Sequence, residues 1–305
     1  MRVSTLIVSG AAVTSALDFQ SVKRSFVDLI TRKDGGSGSC PTVWTSVSAE
    51  LTTKFLLKDG TCNDDARAAI RAIFHDCGAW STELKLTNGC DGSLQFELLR
   101  GENGGLTPIT TYLVGLAAKH KVGVADTINF AGTHAIVTCP GGPVVPALIG
   151  RTDATKAGVE GRLPDVNAPA DDLFKLFQNK GYDAVDLAAI LGAHSTSKQF
   201  GVDPAKAGQA QDSTPGVWDV KYYGETTSVP KDVFVFPSDA KLAVHPTVGK
   251  EFKGFVGDQG KWSGKFADAM ARMATFGNDK SKLVDCTDAL PKAVKVRRNL
   301  KEGPQ

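Results

Sequence analysis

Arg71-Ala72-Ile73-Phe74-His75-Asp76-Cys77 is the stretch on which the reading of this chain turns. On a helix, residues four apart share a face, so Arg71 and His75 project side by side. A guanidinium that is always charged, next to an imidazole that can take and return a proton, is costly to bury and useful for acid–base chemistry. Working outward, Asn63 is a good N-cap for a helix from Asp64 to Asp76, and Asp64 and Asp65 put negative charge at the favoured end. Further along, Leu191-Gly192-Ala193-His194-Ser195-Thr196 places a second histidine at the end of an apolar helix, Ala184 to Ala193. That imidazole can face the first from the opposite side.

The remaining periodicity is also helical. Apolar residues recur at helical spacing in Val47 to Leu57, Ile109 to Lys119, Val124 to Val137, Ala170 to Asn179 and Lys261 to Phe276. Gly181 and Gly277 fall where helix ends want a left-handed residue. Two long segments, Gly141 to Asn167 and Gln199 to Pro237, are rich in Gly, Pro and Asp and read as loops. Loops of that length need disulfides, metal ions or short strands to hold them. The fold class is therefore mainly α with minor strands.

The 305 residues suffice for a sizeable core, and a net charge of +2 points to no nucleic-acid partner. Met1-Arg2, the apolar run from Leu6 to Val13 and small residues to Ala16 read as a secretory signal, residues 1–16, too short to span a membrane. Residues 17–39 end in Gly-Gly-Ser-Gly-Ser and form a flexible leader, or a propeptide if Lys23-Arg24 is processed. Residues 40–291 hold the domain, and the basic stretch 292–305 reads as a mobile tail. Six cysteines (Cys40, Cys62, Cys77, Cys90, Cys139, Cys286) in an exported chain predict three disulfides, with fifteen possible pairings.

The two histidines suit a haem iron between them. Neutral imidazole is its usual axial ligand, and the other ring nitrogen then wants an acceptor. His194 fits that role, with Asp239 in Phe236-Pro237-Ser238-Asp239 as acceptor, though Asp239 reads equally as a helix-start residue. On the other side, a neutral His75 can take a proton from one peroxide oxygen and return it to the other. Arg71 can stabilise the charge that develops, and Asn103, oriented by Glu97, can accept from the second nitrogen of His75. Taken singly, Arg71 reads as a surface helix charge, His75 as a satisfied core histidine, and Glu97 and Asn103 as surface or loop residues; the constellation favours the joint role.

Together with Asn88-Gly89-Cys90-Asp91-Gly92-Ser93 and Leu187-Ala-Ala-Ile-Leu-Gly-Ala-His194-Ser195, these residues resemble the secreted haem peroxidases of the plant and fungal superfamily. Phe130-Ala131-Gly132, Cys139-Pro140-Gly141-Gly142, Gly150-Arg151-Thr152-Asp153 and Asp285-Cys286-Thr287-Asp288 are most similar to its fungal branch. The resemblance runs from about Cys40 to Pro291. It implies two helical lobes closing on one haem b, with Arg71, Phe74 and His75 on the distal side, Glu97 and Asn103 as the hydrogen-bond relay, His194 as iron ligand and Asp239 as its partner. It further implies two Ca²⁺ ions. One is held by Asp76, Asp91, Ser93 and the carbonyl of Gly89, the other by Ser195, Asp212, Thr214, Asp219 and the carbonyl of Val217, all oxygen donors. The implied disulfides are Cys77–Cys90, Cys62–Cys139 and Cys40–Cys286.

The resemblance implies an extracellular, monomeric peroxidase that reduces hydrogen peroxide and oxidises small phenolic or other organic donors at the haem edge. Extra substrate sites of lignin-degrading relatives do not carry over. Where Mn²⁺ oxidation needs three acids the chain has Asp64, Ala68 and Phe200, and where an exposed tryptophan would serve it has Ala189. Trp44, Trp80, Trp218 and Trp262 read as packing residues, and His134 as a hydrogen-bonded structural histidine. His120 and His245 read as surface or loop residues. The alternative function is a secreted haem-binding peroxide scavenger, or a host-interaction protein of low turnover. A calcium-stabilised helical module without haem is a third reading.

Overall fold

A computed structural model describes residues 38–294. The signal segment, nearly all of the leader and the tail from residue 295 lie outside them. Ten α-helices and one two-stranded sheet occur among the described residues. Four helices form a first group: α1 (Val43–Phe55), α2 (Asp64–Cys77), α3 (Thr107–His120) and α4 (Val124–Thr138). Helix α2 starts where its cap predicts, with Asn63 Oδ1 accepting from Ala66 N at 3.1 Å. Its apolar face (Ala66, Ala69, Ile70, Ile73, Cys77) is buried, chiefly against α4.

Helix α4 is the centre of this group, and nearly all its residues are buried. Its buried Asp126 and His134 are hydrogen-bonded, as polar side chains in the middle of a protein must be. The Asp153 carboxylate satisfies its first amides, accepting from Val124 N and Ala125 N at 2.8 Å each. Gly132 lets α2 come close, because a Cβ there would lie 2.6 Å from Ile73 Cβ and closer still to Cγ2. Ile73 is two residues before His75, so this glycine sets where the helix carrying His75 lies.

The second group comprises α5 (Ala170–Gln178), α6 (Ala184–Leu191), α7 (Lys221–Thr227), α8 (Pro237–Val244), α9 (Val248–Lys253) and α10 (Gln259–Met273). Helix α6 packs on α9 and α10. It opens with a reciprocal cap between Asp183 and Asp186. It ends at Leu191, earlier than its apolar run suggests, and tightens into a 3₁₀ turn, Gly192–Thr196, that carries His194. A Cβ on Gly192 would lie 2.5 Å from Trp262 Cε2 and from Tyr223 Oη, so only glycine lets α10 and α7 press against this turn. Helix α7 lies inside a segment that reads as loop. Its sequence is weakly helical, and burial of Tyr222 and Tyr223 holds it in place.

Strands β1 (Leu148–Ile149) and β2 (Val284–Asp285) pair antiparallel and fasten the loop after α4 to the C-terminal segment. Inside that loop Arg151 is buried and bonded to the Asp126 carboxylate at 2.8 Å. Three disulfides join Cys40 to Cys286, Cys62 to Cys139 and Cys77 to Cys90, across separations of 246, 77 and 13 residues. The tail is not free from its first residue as its composition suggests: Gly141 N donates to Val294 O at 2.8 Å. No helix among the described residues is long and apolar enough to cross a membrane.

Candidate active site

Helix α2 presents Arg71 and His75 on one face, as their spacing requires. Arg71 Nε donates to His75 Nε2 at 3.2 Å. Its remaining nitrogens donate to main-chain carbonyls, Nη1 to Gly104 O (2.7 Å) and Nη2 to Glu102 O (2.9 Å). These anchors carry no side-chain signature, so sequence reasoning could not find them. Accepting from Arg71 leaves His75 Nε2 unprotonated, which puts the ring proton on Nδ1. Nδ1 lies 2.7 Å from Asn103 Oδ1 and donates to it. Asn103 Nδ2 in turn donates to the main-chain carbonyl of Glu97 at 3.0 Å, which fixes which end of the amide faces the histidine.

Among the described residues the Glu97 carboxylate makes no hydrogen bond to Asn103. It pairs with Arg100 at 2.9 Å and accepts from Gly158 N at 2.7 Å. Phe74 stands edge-on to His75, with ring centroids 5.7 Å apart. Burial, with the Arg71 charge adding to it, pushes the His75 pKa down to about 3. The ring is therefore neutral at ordinary pH and available as a base.

On the other side, His194 Nδ1 lies 2.8 Å from Oδ2 of the buried Asp239, which the first turn of α8 carries behind Pro237. That bond fixes the tautomer and leaves Nε2, which has no hydrogen bond among the described residues, as the nitrogen free to meet a metal. Phe236 and Tyr222 stand edge-on to the ring at 5.3 and 5.9 Å. The donor set, one oriented neutral imidazole on a fixed turn, fits an axial position of haem iron.

Two oxygen clusters flank these histidines. Asp76, next to His75 and fully buried, accepts from Gly92 N (3.0 Å) and Leu94 N (3.1 Å). Burial and the neighbouring Asp91 raise its pKa to about 7, and burial raises Asp91 as well. Ser93 is buried in the same loop, which Cys77–Cys90 closes at Gly89-Cys90. Beyond His194, Asp212 Oδ1 accepts from Thr214 N, and Thr214 Oγ1 donates to Asp219 Oδ2, both at 2.8 Å. Val217 N closes this turn onto Thr214 O at 2.9 Å. Burial, with Asp219 adding, raises Asp212 to about 8. Ser195 Oγ and Asp212 Oδ2 are buried without a hydrogen-bond partner among the described residues. Buried carboxylates crowded together with orphaned oxygens are what a cation would relieve. No three His, Cys, Asp or Glu side chains gather as a metal group among the described residues, so hydroxyls and carbonyls must complete any shell. Such all-oxygen sets suit Ca²⁺.

The three positions that would hold Mn²⁺ carry one acid, Asp64, beside Ala68 and Phe200. Asp64 is taken by Arg67 (2.6 Å) and Lys198 (3.1 Å), and Phe200 is exposed. Ala189 is fully buried. His134 is a core histidine, with Nε2 2.9 Å from Ser48 O and Nδ1 3.1 Å from Thr138 Oγ1. His120 and His245 are less free than their flanking residues suggest. They pair with Glu50 (2.8 Å) and Asp171 (3.0 Å), and His245 Nδ1 also accepts from Val248 N at the start of α9.

The family model described as peroxidase matches residues 47–258, and that of the fungal peroxidase extension region matches 261–302. The chain is 28% identical over 296 residues to a peroxidase of Arthromyces ramosus, covering 85% of this chain and 81% of that one. It is 29% identical over 312 residues to ligninase C of Trametes versicolor, covering 88% and 84%. Ligninase H2 of Phanerodontia chrysosporium is 29% identical over 263 residues, covering 77% and 71%.

Proposed function

The chain belongs to the peroxidase family, in its fungal branch, and from that premise we propose an extracellular enzyme that spends hydrogen peroxide on small phenolic or similar organic donors. Haem b would be held by His194 Nε2, with Asp239 keeping that imidazole oriented and electron-rich. A bound haem supplies the two-electron cleavage of the peroxide bond and the one-electron oxidation of each of two donors.

The protein's own part is proton handling. His75 Nε2 takes the proton from the oxygen that peroxide presents first, and returns it to the oxygen that leaves as water. Arg71 swings its Nε–H from His75 to the developing charge, pivoting on the carbonyls of Glu102 and Gly104. Asn103 keeps the ring's own proton on Nδ1, so that Nε2 stays a base. The observation that carries the proposal is this ordered chain, Glu97 O to Asn103 to His75 to Arg71, in which every donor has one acceptor. A protein that only bound haem would need none of it.

Two Ca²⁺ ions belong to the proposal, one at Asp76, Asp91, Ser93 and Gly89 O, the other at Ser195, Asp212, Thr214, Val217 O and Asp219. Each set adjoins one histidine in sequence, so the ions brace both faces. The neutralised Asp64 and the buried Ala189 support donors that meet the haem edge, without a Mn²⁺ relay or a surface tryptophan at that position. The test is a stopped-flow absorption spectrum of the holoprotein mixed with hydrogen peroxide. A ferric haem band that converts rapidly, then returns when a phenol is added, is expected. A band that ignores peroxide would refute the assignment of His75 and Arg71.

A further inference from the structure

Proton transfer between peroxide and His75 leaves two large buried side chains on the other side without a role. Trp218 and Trp262 are fully buried, and their rings lie 9° from parallel with centroids 5.4 Å apart. Phe266 meets both edge-on, at 4.7 and 6.0 Å. Trp262 also abuts the turn that carries His194. Its Cε2 would be 2.5 Å from a Cβ on Gly192, and its Nε1 donates to Ala189 O at 3.0 Å. A second route of contacting rings leads the same way: His194 to Tyr222 (5.9 Å), Tyr222 to Tyr223 (5.1 Å) and Tyr223 to Trp262 (5.8 Å).

Indole gives up an electron more easily than any other side chain that can keep its proton in doing so. A phenol must lose its proton to hold the resulting radical. Among the described residues Tyr223 Oη has only the carbonyls of Ala188 (2.9 Å) and Ala189 (3.3 Å) as partners, and neither is a base. The tyrosine can therefore pass an electron but is a poor place to leave a hole. The indole pair has no such restriction. Trp262 aims its N–H at a carbonyl, whose negative end faces any positive charge on the ring. Two stacked rings share that charge, which lowers the cost of holding it in an apolar surround. Asp212 and Asp219 balance the charge of an ion held beside Trp218, so such an ion does not forbid a cation there.

We propose that the stacked Trp218–Trp262 pair is a second redox site, which gives one electron toward the oxidised haem through the His194 turn and holds the hole until a donor returns an electron. No bond forms or breaks, and no proton moves. The pair is oxidised by one electron, the haem side is reduced by one, peroxide is the ultimate oxidant and the organic donor the ultimate reductant. The inference rests on the peroxidase reading. Its benefit comes when donors are scarce, because an oxidising equivalent waits in the core instead of attacking the haem.

The test is freeze-quench electron paramagnetic resonance of the holoprotein mixed with one equivalent of peroxide and no donor. The protein is prepared with ordinary and with ring-deuterated tryptophan. A radical signal that narrows on deuteration, and is lost in a Trp218→Phe/Trp262→Phe double variant with a near-parental melting temperature, is expected. Peptide mapping of the unaltered protein after repeated peroxide should find oxygenated tryptophan at 218 and 262 rather than at 44 and 80. That measurement decides the matter if the double variant does not fold. A haem band that converts normally while the signal ignores deuteration, or survives in the double variant, overturns the pair and leaves the peroxidase reading standing. Oxygenation confined to Trp44 and Trp80 does the same. A haem band inert to peroxide overturns both.

Discussion

Replacing Gly132 with alanine should harm the protein although alanine is the better helix former. Gly132 sits mid-helix in α4, facing Ile73 of α2, and the new Cβ would lie 2.6 Å from Ile73 Cβ. Carbon atoms pack best at roughly 3.5–4.0 Å, so the two helices must part by about 1 Å or more. Overpacking of this kind costs about 1–3 kcal/mol, and the clash belongs at the upper end. Alanine returns up to about 1 kcal/mol of helix propensity. The net loss of about 2 kcal/mol lowers the melting temperature by about 4–8 °C in a domain of this size. The displaced helix carries His75, and a misplacement of about 1 Å can cost about 100-fold in rate. Gly115, exposed in α3 with nothing within 4 Å of an added Cβ, is the control. Gly115→Ala should stabilise by about 0.5–1 kcal/mol and leave the rate alone. Calorimetry and the stopped-flow peroxide reaction read both quantities. A Gly132→Ala protein that melts and reacts like its parent would show that the α2–α4 contact is slack and does not place His75.

Four further outcomes are expected. His75→Leu should slow the reaction with peroxide by about 10²–10⁴-fold while the haem band remains, and unchanged kinetics would remove its acid–base role. The same rate in the parent should stay level as pH falls from neutral and drop only near pH 3, because His75 stays unprotonated until then; a break near pH 6 in single-turnover kinetics would contradict this. His134 is held neutral by burial, with its pKa lowered from 6.5 to about 4. The unfolded chain therefore binds that proton first, and the stability present above pH 6.5 should be lost as pH falls from about 6.5 to 4. His134→Gln should flatten that part of a denaturant-midpoint profile, and an unaltered slope would exonerate the residue. Chelation of Ca²⁺ should lower the melting temperature, and more so at pH 9 than at pH 6, since Asp76 and Asp212 are raised to about 7 and 8 and repel their neighbours once ionised. An equal effect at both pH values would argue against these two carboxylates as ligands.

Helix α2 was legible because everything that forms it is local: the Asn63 cap, the acids of its first turn and the spacing of its apolar face. The place of Arg71 beside His75 follows from that helix alone. Helices α7 and α9 were not legible, being short segments that tertiary burial holds in shape. The end of α6 is hidden from the sequence for a related reason. The tightening at Gly192 answers to Trp262, seventy residues away, and no local pattern encodes that contact. Glu97 shows a subtler limit. Its position pointed to the relay, but the atom that serves is its main-chain carbonyl, which any residue could supply. Sequence names residues, whereas hydrogen bonds are made by atoms.

The bridge between Cys40 and Cys286 puts a clock on biosynthesis. Its first sulfur emerges from the ribosome 246 residues ahead of its second. At about 5–20 residues per second, Cys40 waits roughly 12–50 s for its partner, while Cys62, Cys77, Cys90 and Cys139 pass by. The nearest of these can form wrong bridges that must later be undone. Cell lines or hosts rich in disulfide isomerase should therefore raise the yield of native protein more than stronger transcription does.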